Sequence, residues 1–213
     1  MRRYNVAGNG CFAGGMPVLL AGGDQDGKMV RVGRLRRGME VVTPRGPRKV
    51  VAVLRMPVRR AEMCLVAGGE GSGGLLVTPW HPISLREGGP WVFPKDVALR
   101  RVRYTGSIYS VLLEKDDDPD AHAIFVGGMW GVTMGHGLTQ AAERRDVRAH
   151  QFYGDYEKVK RALSGLPVKL GGLVLGGGLT RDFKTGMVNG FRRGDVEQMR
   201  ALGMKQRKGA VYA

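Results

Sequence analysis

Apolar residues along this chain fall in short alternating or continuous runs of four to nine positions, cut at regular intervals by glycine. That pattern predicts strands over residues 16–21, 29–32, 39–43, 48–56, 62–67, 75–78, 83–85, 97–104, 108–114, 122–126 and 130–134. Turn signals separate them: Gly22-Gly23-Asp24, Asp26-Gly27, Pro44-Arg45-Gly46-Pro47, Gly68-Gly69-Glu70-Gly71, Gly88-Gly89-Pro90 and Gly127-Gly128. Many short strands with glycine-rich turns imply an all-β unit, sandwich-like or barrel-like, over residues 11–137. The acidic run Asp116-Asp117-Asp118-Pro119-Asp120 reads as an exposed loop; it offers oxygen ligands but not the spaced geometry of a calcium loop.

The pattern changes after residue 137. Residues 155–164 are helix-forming, with Gly165 as a stop, and 195–202 suit a second short helix. Residues 170–179 are too rich in glycine to assign to a helix or a strand. They form no phosphate loop, because no Lys-Ser/Thr follows the glycines. The expected organisation is a short lead (1–10), a β domain (11–137) and a basic C-terminal extension (138–213).

Composition narrows the class. A chain of 213 residues with 43% hydrophobic content can bury a real core and is not disordered. No run of eighteen apolar residues exists, so no transmembrane helix is expected, and the N-terminus lacks the apolar region of a signal peptide. Two cysteines make no disulfide framework, and a reducing, intracellular compartment suits both thiols. The net charge is +15; residues 138–213 hold fifteen basic and seven acidic side chains, so the charge is densest there. Such a balance favours an anionic partner, nucleic acid or an acidic protein face, unless it is simply a solvated arginine-rich surface.

The chemistry centres on Cys11, in Gly8-Asn-Gly-Cys11-Phe-Ala-Gly-Gly15. A thiol can attack the carbonyl of the preceding residue and turn an amide into a thioester. That needs polarisation of the carbonyl and a proton for the departing amine. Gly10 offers no side-chain bulk on the acyl side. Thr78 and His81, three apart across Pro79, supply a hydroxyl and an imidazole at a strand end. By itself His81 reads equally as a turn-capping residue. His122, His136 and His150 each read singly as structural, and Cys64 as a buried inert thiol. No close-spaced ligand pair suggests zinc, and no cofactor motif is present.

Taken in order, these motifs resemble the Hint superfamily, the fold shared by inteins and hedgehog autoprocessing domains. Cys11-Phe-Ala-Gly-Gly-Met-Pro-Val looks like its first block and Val77-Thr-Pro-Trp-His81 its Thr-x-x-His block. Ile108-Tyr-Ser-Val-Leu-Leu followed by His122-Ala-Ile-Phe-Val looks like its last blocks. Trp91-Val-Phe-Pro-Lys-Asp-Val, Val132-Thr-Met-Gly-His-Gly and His150-Gln-Phe-Tyr-Gly-Asp resemble the Vint variety, found with von Willebrand A modules. The resemblance implies a compact, horseshoe-like Hint-type β fold, with Cys11 as nucleophile at the Gly10–Cys11 bond and Thr78 and His81 as its activators. It implies further roles for His122 and His136. Ser110 stands where an Asp is common, Met16 where a Thr is common, and Gly137 where inteins carry the Asn that cyclises.

Two functions follow as expectations. One is autoprocessing by an N–S acyl shift without full splicing. The other is a retired Hint scaffold used as a basic binding subunit, favoured by the charge and by a lead of only ten residues.

Overall fold

In the computed structural model, residues 10–22, 27–68, 73–140 and 146–194 are described. Fourteen strands and two α-helices follow in chain order. They are β1 (Phe12–Ala13), β2 (Pro17–Leu19), β3 (Met29–Arg31), β4 (Glu40–Thr43), β5 (Gly46–Val66), β6 (Leu75–Val77), β7 (Ile83–Ser84) and β8 (Trp91–Val92). After the short helix α1 (Pro94–Val97) come β9 (Arg100–Leu113), β10 (Ala123–Val126) and β11 (Met129–Val132). Helix α2 (Tyr156–Ser164) precedes β12 (Val168–Lys169), β13 (Leu173–Arg181) and β14 (Val188–Arg193). The all-β class is as the alternation predicts.

The strands form an eight-stranded and a six-stranded sheet. The larger runs β12-β13-β5-β6-β1-β9, with β4 on β5 and β14 on β13; the smaller runs β3-β2-β10-β11-β7-β8. A further pairing of β5 with β9 closes β5, β6, β1 and β9 into a ring. Tiny β1 is the closing piece: Phe12 pairs with Val77 of β6 on one side and Tyr109 of β9 on the other. Phe12 is fully buried among Val18, Val77, Ile83 and Ile124, which locks the chain just after Cys11 into the core. Burying an aromatic of this size stabilises by about 2–3 kcal/mol.

Several boundaries differ from the sequence expectation, for physical reasons. Residues 48–56 and 62–67 belong to one strand, β5. Pro57 stays in register opposite Ser107, and a bulge with Arg60 at φ 51° absorbs the extra residues. Residues 97–104 and 108–114 likewise merge into β9, with Val97 ending α1. His122 closes a 3-10 turn (Pro119–His122) ahead of β10 instead of opening the strand.

The glycine-rich stretch 170–179 is largely strand. Leu173, Val174 and Leu175 are buried and run parallel to Val53, Leu54 and Arg55 of β5, so the sheet continues past residue 137. Helix α2 starts at the N-cap Asp155, whose carboxylate accepts from Lys158 N–H at 2.9 Å, and buries Val159 and Leu163 one turn apart. The second expected helix, 195–202, lies outside the described residues. No helix among the described residues is long and apolar enough to cross a membrane.

The acidic run is held by arginines. Arg45 reaches Asp118 at 2.6 Å and Asp120 at 3.4 Å, Arg48 pairs with Asp116, and Arg148 meets Asp120 at 2.7 Å. Backbone N–H donors first, then these guanidiniums, hold Asp116 and Asp118 below the usual carboxylate range.

Candidate active site

Closure of the ring delivers the Gly10–Cys11 peptide to three side chains from three elements. Thr78 immediately follows β6, where its N–H donates to the Cys11 carbonyl at 3.0 Å. Its Oγ1 accepts from the Cys11 N–H at 3.1 Å, holding the amide on the leaving-group side of the bond. Ser110 projects from β9 and donates its hydroxyl to the Gly10 carbonyl oxygen at 2.6 Å. Ser110 Oγ itself lies 3.0 Å from Cys11 Sγ. Because the hydroxyl proton goes to Gly10, the thiol donates to Ser110 and a chain S–H···O–H···O=C joins the Cys11 thiol to the Gly10 carbonyl.

His81 is reached by a tight turn from Thr78, whose carbonyl accepts the His81 N–H at 3.2 Å. Its ring is 1% exposed and stacks on Phe12 with centroids 4.1 Å apart. Nε2 lies 2.8 Å from the Val132 carbonyl, so Nε2 carries the proton and Nδ1 is left with a lone pair. Nδ1 is buried without a hydrogen-bond partner, and a Cβ built on Gly10 would sit 3.5 Å from it. Burial pushes the His81 pKa down to about 4, opposed more weakly by the Val132 and Cys11 backbone. The Cys11 thiol, 1% exposed, is pushed up to about 12 by burial, which the Ser110 hydroxyl only partly offsets. At rest the site therefore holds a neutral thiol and a neutral imidazole.

Two further histidines from the sequence motifs lie elsewhere. His122 Nε2 sits 3.1 Å from the Asp116 carbonyl, and its ring is 6.4 Å from that of Tyr156. His136 Nδ1 accepts from Leu138 N–H at 3.4 Å, and its Nε2 is buried without a partner. Burial lowers the His136 pKa to about 3, helped by the fields of Arg148, His122 and His150. His150 is buried too, its Nδ1 accepting from Phe152 and Tyr153 N–H at 3.0 Å each, with its pKa lowered by burial to about 3. Arg148 anchors this second cluster, with two donors on Asp146 and one on Asp120. Among the described residues, no hydrogen bond joins His122 or His136 to Gly10, Cys11, Thr78 or His81, and no group of His, Cys, Asp and Glu is arranged to hold a metal.

Sequence reasoning registered Ser110 only as a missing acid, and did not find the Val132 carbonyl that sets the His81 tautomer. A signal for Ser110 existed: it is the one small polar side chain within the buried run 108–113 of β9. Cys64, also buried and free, faces Val77 and Arg101 away from this site.

A closed β ring that brackets a Gly–Cys bond with Thr, His and Ser side chains is the arrangement expected of a Hint-type domain. A model of the Vint family, described as a Hint domain, matches residues 10–190, and the chain belongs to that family. Among solved structures it is similar to a DnaB intein from Synechocystis sp. PCC 6803, at 14% identity and TM-score 0.44, covering 59% of this chain and 99% of that one. It is also similar to the gp41-1 intein (10% identity, TM-score 0.42, 59% and 100% covered) and the MchDnaB-1 intein (17%, 0.41, 57% and 98%). No curated protein sequence matches.

Proposed function

We propose that the domain cleaves its own backbone at Gly10–Cys11 by an N–S acyl shift. The observation that carries this is the position of Ser110 Oγ, 2.6 Å from the Gly10 carbonyl and 3.0 Å from Cys11 Sγ. Sγ attacks the Gly10 carbonyl carbon. Charge grows on the carbonyl oxygen, where the Ser110 hydroxyl already points; such a donor is worth about 3 kcal/mol in a dry site. As Sγ attacks, the thiol proton moves through Ser110 Oγ onto the Gly10 oxygen, and collapse of the adduct hands it through the bare Nδ1 of His81 to the Cys11 nitrogen. An imidazolium with a pKa near 4 is a strong enough acid to protonate that poor leaving group. Thr78 keeps the nitrogen facing the ring throughout.

The C–N bond breaks, leaving a Gly10 thioester on Sγ and a free α-amine on Cys11. Water, or an external thiol or amine, then takes the acyl group and the thiol is restored. Gly137 supplies no side-chain amide for cyclisation, which favours cleavage or transfer over splicing. A reducing compartment suits the free Cys11 thiol.

Intact mass spectrometry with dithiothreitol tests the proposal. Loss of the segment ending at Gly10, absent in Cys11→Ala, is expected; an unchanged mass after prolonged incubation removes it.

A further inference from the structure

Between residues 56–63 of β5 and 101–106 of β9 the large sheet narrows to a two-stranded ribbon. β13 pairs with β5 only at Val53–Arg55, β6 only at Cys64–Val66, and β1 meets β9 only at Ile108 and Tyr109. One face of the ribbon is anchored, since Val58, Val102 and Tyr104 pack on the core beneath. The other face is exposed and arginine-rich. Arg101 and Arg103 project two residues apart, about 7 Å along the strand. Arg59 and Arg60 sit exposed in the bulge, where Arg60 N–H donates to Thr105 Oγ1 at 3.0 Å; Arg100, also exposed, lies at the ribbon's base on the opposite face, in line with Val102 and Tyr104.

Among the described residues, the one acid in an ion pair with them is Glu62, 3.4 Å from Arg101. Arg103 Nη1 reaches the Arg60 carbonyl at 3.4 Å. Arg59, Arg60, Arg100 and Arg103 have no carboxylate partner among the described residues. Natural sheets blunt bare edges with isolated charges; the four guanidiniums of Arg59, Arg60, Arg101 and Arg103 around one carboxylate exceed that need.

We propose that this ribbon docks on duplex DNA, its arginine face turned into the major groove and against the flanking phosphates. The groove of B-form DNA admits a two-stranded β-ribbon, whereas the A-form major groove is too deep and narrow for side chains to read. Every cation on the face is arginine, whose planar fork matches phosphate oxygens in pairs. No exposed aromatic lies on it, so it lacks the stacking platform that single strands require. The surface works independently of Cys11 chemistry.

Fluorescence anisotropy of the full chain with a short labelled DNA duplex, over a salt series, tests this. The expected slope of log affinity on log salt is roughly −4, for four or five neutralised phosphates. Replacing Arg59, Arg60 and Arg103 by Gln should weaken binding at least tenfold and flatten the slope to about −1. Their replacement by Lys should retain most of the affinity. Removing the same charge elsewhere, with Lys160, Arg161 and Lys169 changed to Gln, should alter affinity by less than about twofold. The proposal is overturned by equal losses in the two Gln triples, by no binding at low salt, or by single-stranded RNA, duplex RNA or polyglutamate binding as tightly as the DNA.

Discussion

Two regions of this domain bury neutral imidazoles, and they differ in what those imidazoles face. Around Cys11, His81 spends one ring nitrogen on the Val132 carbonyl and turns the other toward a peptide bond. Around Arg148, the rings of His122, His136 and His150 face backbone groups and a guanidinium clamped by Asp146 and Asp120. Burial depresses the pKa in both, so a depressed pKa does not by itself mark chemistry. What separates the regions is a thiol hydrogen-bonded through Ser110 to a carbonyl in one and an ion-pair network in the other.

Acidification probes the shared feature and should have the largest effect. The folded pKa values of His81, His136 and His150, about 4, 3 and 3, lie below the ordinary 6.5. The unfolded chain therefore binds more protons between those limits. Their contribution is complete above pH 6.5 and is lost as pH falls toward 3, at roughly 1.4 kcal/mol per pKa unit per group. Denaturant midpoints measured from pH 7 to pH 4 should fall steadily; a flat profile would mean the rings are hydrated.

Substitutions then separate the regions. His81→Ala should slow thiol-induced cleavage about a thousandfold, measured by mass spectrometry on protein whose circular dichroism is unchanged. His136→Ala should leave that rate within about threefold while lowering the melting temperature. Arg148→Met strands Asp146, leaves Asp120 with Arg45 alone and should cost about 3 kcal/mol in denaturant unfolding, with cleavage of the still-folded protein unaltered. Ser110→Ala removes the donor to Gly10 and should slow cleavage about a hundredfold. Equal rate losses at His136 and His81 would erase the distinction between the regions.

Cys11, Thr78 and His81 were legible because each stands in a short motif with local spacing, and the all-β class followed from alternation. Ser110 was not, since its role depends on β1 inserting between β6 and β9, a pairing across ninety-nine positions of chain. The motif order suggested His122 and His136 for the same site, but the 3-10 turn ahead of β10 and the turn after Met134 carry them to Asp116 and Arg148. Pro57 hid the continuity of β5 and the glycines of 170–179 hid β13, because a bulge and a parallel neighbour compensate in ways no local pattern records. The arginine ribbon emerged from total charge only once β5 and β9 were in register.

The central claim, that Cys11 takes the Gly10 acyl group, is tested most directly by trapping the thioester. The full chain should be incubated with hydroxylamine at neutral pH and the released segment sequenced by tandem mass spectrometry. A hydroxamate on Gly10, absent in Cys11→Ala, is the predicted result. An intact chain, or cleavage that persists without the Cys11 thiol, would contradict it.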